Sequence, residues 1–136
     1  EVVLRAGPFA SASRGMIVKY EGRSAHAAEP HEGVTPVPAI AQLAQSLARL
    51  PQDVTALHEA AKVTIVGLEA GGPAFGTIPA TGRVMATLRT HEPAVMQRLV
   101  ARAETLARGL AATHGLRVEI AAVEDLVDSD AKFAIQ

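Results

Sequence analysis

The chain has 136 residues, 49% hydrophobic and 20% charged, with 13 Lys plus Arg against 14 Asp plus Glu, and no cysteine. That composition supports one cored domain and excludes general disorder, while the near-neutral charge and an aromatic share of 3% argue against a nucleic-acid module. Without cysteine there are no disulfides, thiolate ligands or thiol nucleophiles, and no apolar run approaches the roughly 20 residues that span a bilayer. The opening EVVLRAGPFA lacks the basic and apolar regions of a signal peptide. A cytoplasmic protein without a membrane or nucleic-acid partner is expected. The absence of an initial Met and the ending AKFAIQ read as a fragment excised from something longer.

Residues 1–12 form an extended lead-in with Gly7-Pro8 as a breaker. Residues 15–21 read as a strand with Met16, Val18 and Tyr20 on one face and Ile17 and Lys19 on the other. The stretch from Arg23 to Pro38 is too rich in Pro for a helix interior, and Pro36 and Pro38 suit a first helical turn. Ile40, Leu43, Leu47 and Leu50 then make one helical stripe over 38–50, with Pro51 as the stop. Residues 62–68 are a β-rich run in which Val63 and Ile65 oppose Thr64, Val66 and Leu68. A long Gly/Pro connection leads to a strand over 83–89 with Val84, Ala86 and Leu88 inward.

Pro93 opens a second helix that runs to His114, with Met96, Leu99, Ala103, Leu106 and Leu110 as its stripe and Gly115 as its stop. Residues 116–123 alternate as a last strand, and 125–136 form a tail. The order strand, helix, strand, strand, helix, strand predicts an α+β, ferredoxin-like βαββαβ domain over 13–124. A four-stranded antiparallel sheet should carry both helices on one face. The other face has no cover within the chain, and the apolar character of 62–68 hints at a partner there.

Fold alone assigns no function. The segment Gly22-Arg23-Ser24-Ala25-His26-Ala27-Ala28-Glu29-Pro30-His31-Glu32-Gly33 holds a histidine between small residues, which lets another surface approach the imidazole. Such a histidine can donate to a developing oxyanion or transfer a proton; the alternative is a loop histidine bonded to a backbone carbonyl. His26 and His31 also invite a metal, but Glu29 or Glu32 on an irregular loop would have to complete the ligand set. His58, His91 and His114 read as surface or helix-end residues. The Gly71–Pro79 stretch either offers backbone N–H groups to an anion or is a crossover with special backbone angles. Arg89, at a strand end, either holds a carboxylate by two parallel hydrogen bonds or is a solvated edge charge.

Gly-x-Ser-Ala-His-x-Ala-x-Pro-x-x-Gly after the first strand, Gly-Gly-x-Ala-x-x-x-Ile-Pro after the third element, and a strand ending in Arg resemble one family. It is the dimerisation (lid) domain of the aminoacylase, carboxypeptidase G and hippurate hydrolase type of zinc-dependent metallopeptidases. The resemblance covers about residues 10–123 and implies a homodimer. It also implies a separate catalytic domain, outside this chain, that holds two zinc or cobalt ions; no metal is expected in the lid itself. His26 would act as an oxyanion donor in the partner subunit's active site, and Arg89 as a substrate-carboxylate contact. Most relatives carry Asn where this chain has Gly76 followed by Thr77, so the Thr77 hydroxyl or a backbone N–H substitutes, or the small-molecule amide substrate differs. On this reading the isolated chain is inactive. The competing reading is a stand-alone ferredoxin-like regulatory module that binds a small ligand at a dimer interface.

Overall fold

In a computed structural model the structure describes residues 12–123. Residues 1–11 of the expected lead-in and the tail over 125–136 lie outside that range. The elements are β1 (Ala12–Glu21), α1 (Val37–Val54), β2 (Ala61–Ala70), β3 (Thr81–Thr90), α2 (Pro93–His114) and β4 (Arg117–Val123), with a short 3-10 turn over Pro30–Glu32. The strands form one antiparallel sheet in the order β2-β3-β1-β4, and both helices pack on one face. The expected βαββαβ ferredoxin-like arrangement is the one observed.

Alternation places Met16, Val18 and Tyr20 of β1 and Val84, Ala86 and Leu88 of β3 in the core, under Ile40, Leu43, Leu47 and Leu50 of α1. Three local expectations need correction. Pro51 does not stop α1, which continues to Val54. A proline so near the end removes only one ladder bond, and the last turn is held where the Thr55 N–H (3.0 Å) and hydroxyl (2.6 Å) both donate to the Pro51 carbonyl. In β2 a bulge between Ile65 and Gly67 leaves Val66 unpaired. The bulge changes the strand's parity, so Leu68 lies opposite inward Val84, on the same face as Val63 and Ile65 rather than against them. Finally, the lower half of α2 meets the core through Ala107 and Ala111, while Leu106 and Leu110 are only partly buried.

The reason for that last difference is Tyr20. Its side chain is fully buried, and its hydroxyl donates to the Ala107 carbonyl at 2.6 Å. This bond draws the α2 backbone toward β1, a separation that Ala103, Ala107 and Ala111 allow and larger side chains would not. Burial pushes the Tyr20 phenol up to about 12 from the ordinary value of 10.0. At the far end of α2, Gly115 takes the left-handed conformation (φ 70°) that a β-carbon would oppose, and so terminates the helix.

Tyr20→Phe removes a buried donor and should lower stability by about 1 kcal/mol, or roughly 4 °C in midpoint. Because the folded-state value lies above the unfolded one, the folded chain holds the phenolic proton more tightly. Stability should therefore be level below pH 10 and fall as pH rises from 10 toward about 12. Thermal unfolding across that range should show the alkaline loss in the wild type and a smaller one in Tyr20→Phe.

Candidate functional site

The His26 loop is built by two close approaches. Gly22 leaves β1 where a β-carbon would lie 2.0 Å from the Val34 carbonyl oxygen, and Gly33 returns where one would lie 2.7 Å from the Arg23 carbonyl oxygen. Only glycine fits either place. Between them Arg23 and Val34 exchange backbone hydrogen bonds of 2.9 and 2.8 Å, which close the loop at its base. The outer part is pinned to the β2–β3 connection: the Ala27 N–H donates to the Gly76 carbonyl (2.9 Å) and the Ile78 N–H to the Ala25 carbonyl (3.0 Å). His26 and Thr77 are thus directly opposed in an antiparallel bridge of the non-hydrogen-bonded kind, where facing side chains come closest.

His26 is exposed, and its Nδ1 accepts the Ala28 N–H at 3.0 Å. With Nδ1 occupied as an acceptor, the neutral ring carries its proton on Nε2, which is left as an outward donor. The loop-histidine alternative required a bond to a backbone carbonyl; the observed partner is a backbone N–H. Thr77, also exposed, stands beside the ring with a hydroxyl to offer. Gly76 has open space at its β-carbon position and no positive φ, so nothing steric demands glycine there. Phe75, 92% exposed at the tip of the same connection, was not singled out by pattern because its exposure depends on how the connection is pinned.

Arg89 is elsewhere. It sits on the open face of the sheet near the end of β3, whose start, Thr81, adjoins the His26 loop. Eight residues of strand separate the two ends, about 26 Å. His26, Gly76 and Thr77 therefore form one group and Arg89 a second. Arg89 lines a shallow pocket of about 310 Å³ with Ala60, Ala61, Lys62, Thr90 and His91. Cross-strand from it, Ser13 Oγ is buried with no hydrogen-bond partner among the described residues.

The donor set for a metal is not assembled. His31 Nε2 lies 4.0 Å from Glu32, both exposed, while His26 Nδ1 is taken by Ala28. Among the described residues no group of three or more His, Asp or Glu is placed to hold an ion. No helix among them is long and apolar enough to cross a membrane. His114, at the end of α2, lies 3.1 Å from Gln42 Oε1, in keeping with a helix-end role.

Comparison with known proteins places this geometry. The family model described as Peptidase dimerisation domain matches residues 11–114. The N-acetyl-L-cysteine deacetylase of Bacillus subtilis is 30% identical over 120 residues, covering 88% of this chain and 28% of the deacetylase. The succinyl-diaminopimelate desuccinylase of Methylocella silvestris is 30% identical over 122 residues, covering 86% of this chain and 31% of the desuccinylase. The crystal structure of the aminobenzoyl-glutamate utilization protein from Klebsiella pneumoniae superposes with a TM-score of 0.75 at 25% identity, over 84% of this chain and 28% of that one. The chain thus spans less than a third of the length of these relatives.

Two measurements check this description. Long-range ¹⁵N–¹H correlation at a pH where His26 is neutral should show the Nε2–H tautomer; a dominant Nδ1–H form would contradict the Ala28 contact. Chelation should leave the unfolding midpoint of this chain unchanged, whereas a zinc-dependent rise lost in the His26→Ala, His31→Ala double variant would show that the loop does hold an ion.

Proposed function

This chain belongs to the peptidase dimerisation domain family, and on that premise we propose that it is the lid and dimerisation domain of a metal-dependent amidohydrolase or exopeptidase. The substrate class is an N-acyl amino acid or a similar small amide, in line with the deacetylase and desuccinylase among its relatives. A divalent metal, zinc or cobalt and in the resemblance two ions, belongs in this proposal to the catalytic domain outside the chain, since the residues here do not fit one; bound there, it supplies the activated water. In this proposal the domain is residues 13–124, with 125–136 as the tail toward that catalytic domain.

The observation that carries the proposal is the polarity of the sheet. His26 lies beyond one end of β3 and Arg89 near the other, with about 26 Å of strand from Thr81 to Arg89, too far for one small substrate to touch both in a single copy. The first residues of β1 and the last of β4 leave the sheet at the Arg89 end, so that end faces the chain's own catalytic domain. A two-fold axis perpendicular to the sheet that pairs two copies edge to edge reverses strand direction, which brings the partner's His26 end level with this copy's Arg89 end. The β2 edge suits such pairing: ten residues long, it exposes Val66 and Leu68 and lies beside exposed Val37 of α1. β4, the other edge, is shorter and carries Arg117 and Glu119.

Within that dimer each residue has a defined task. Arg89 holds the substrate carboxylate through two parallel hydrogen bonds. His26 of the partner donates its Nε2–H to the oxygen that gains charge as the amide carbon becomes tetrahedral. The Thr77 hydroxyl beside it takes the place of the asparagine found in most relatives. A β-carbon at Gly76 would meet open space, so nothing steric forces glycine at that position.

His26→Ala in the longer enzyme should lower kcat by about 100–1000-fold, or 3–4 kcal/mol of transition-state stabilisation, with little change in KM or in stability. Mixing that variant with subunits inactivated at the general-base Glu of the metal site should restore activity once subunits exchange, because one kind of site in the heterodimer then has both groups. Verified heterodimers as inactive as either parent would remove the trans role, and near-normal turnover of His26→Ala alone would remove the catalytic one.

A further inference from the structure

We infer that Lys62 is a specificity residue, which together with Arg89 seats a substrate carrying a second carboxylate on the open face of the sheet. The inference rests on the placement of Arg89 at the substrate proposed above.

Lys62 and Arg89 are direct partners in the β2–β3 register, so two cations face each other with β-carbons about 5 Å apart. Like charges in that position oppose folding. Three other cations of the sheet have acidic neighbours, including Lys19 and Arg83, which also face each other. Arg83 pairs with Glu69 at 2.7 Å, Arg117 pairs with Glu21 at 2.6 Å, and Lys19 lies opposite Glu119. Among the described residues neither Lys62 nor Arg89 has an ion pair or a side-chain hydrogen bond. Both line the same pocket, whose other walls contribute no carboxylate. The pocket is therefore a cationic site whose counter-charge comes from outside the described fold.

One carboxylate satisfies the fork of the Arg89 guanidinium, which offers two parallel donors. The Lys62 ammonium is a separate point charge on a flexible stem and remains unmet. A second carboxylate a few carbons away on the same molecule meets it. Two kinds of amide have that shape: an acylated acidic amino acid, and an amino acid acylated by a dicarboxylic acid.

The test compares substrate pairs that differ by one negative charge. In the full-length enzyme, Lys62→Met should lower kcat/KM for N-acetyl-L-glutamate or for N-succinylglycine by about tenfold. The singly charged amide counterparts, N-acetyl-L-glutamine and N-succinamoylglycine, should be unaffected, and Lys62→Arg should restore most of the loss. The diacid that responds identifies which side of the amide carries the second charge. Lys19→Met, on the same face and outside the pocket, should change neither ratio. Relief of the like-charge contact should raise the unfolding midpoint of Lys62→Met.

Equal losses for doubly and singly charged substrates, or no loss for either diacid, would overturn the inference. So would weakened dimerisation by sedimentation together with an unchanged ratio, because Lys62 would then be pairing with a partner's acid. If the wild type cleaves none of the four, the proposed activity fails and binding decides. Succinate should then shift the Lys62 and Arg89 amide resonances of the wild-type chain, about tenfold more weakly in Lys62→Met. Absence of those shifts would sink the two-cation seat on its own.

Discussion

The hydrogen bond from buried Tyr20 to the Ala107 carbonyl sets the depth at which α2 lies on the sheet, and the geometry of the site follows from it. A phenol without a partner in that position would cost more than the bond contributes, so the helix backbone must come to it. The alanines at 103, 107 and 111 make the approach possible. Two residues beyond Tyr20, Gly22 turns out of β1 beneath Leu116, whose side chain would lie 2.9 Å from any added β-carbon. The seat of α2 and the root of the His26 loop are thus one packing problem.

From that root the loop is held twice, by Arg23–Val34 at its base and by the bridge to Gly76–Ile78 near its tip. Exposed loops that carry chemistry need such restraint, because a donor loosely placed loses most of its value to reorganisation. Here the restraint is made by main-chain bonds, so the side chains of His26 and Thr77 stay free to face another surface. The Ala28 N–H completes it by choosing which ring nitrogen keeps the proton.

The same antiparallel sheet that steadies His26 also keeps it from Arg89. Strand direction puts the two at opposite ends, and no local adjustment shortens a path of eight strand residues. In the proposed enzyme a two-fold assembly would bring unlike ends together, because one copy is reversed relative to the other. The division of polar groups between the two ends is a consequence of the strand topology.

Much of this was legible in the sequence because it is local. The period of two in 15–21 and 83–89, the 3.6-residue stripe of α1, and the Pro93 and Gly115 boundaries of α2 each arise from neighbours within a few residues, and each is found in the fold. The His26 loop was also legible, since closely spaced Gly, Ala and Pro residues declare a tight, accessible turn. What only the tertiary structure decided is non-local. The Val66 bulge reverses the face of Leu68, the Tyr20 bond substitutes alanines for leucines at the α2 contact, and the register sets His26 against Thr77 and Lys62 against Arg89. A strand's own pattern says which face a residue takes but not which residue lies opposite it. That choice is made by the pairing of segments far apart in the chain, through hydrogen bonds that every backbone offers alike.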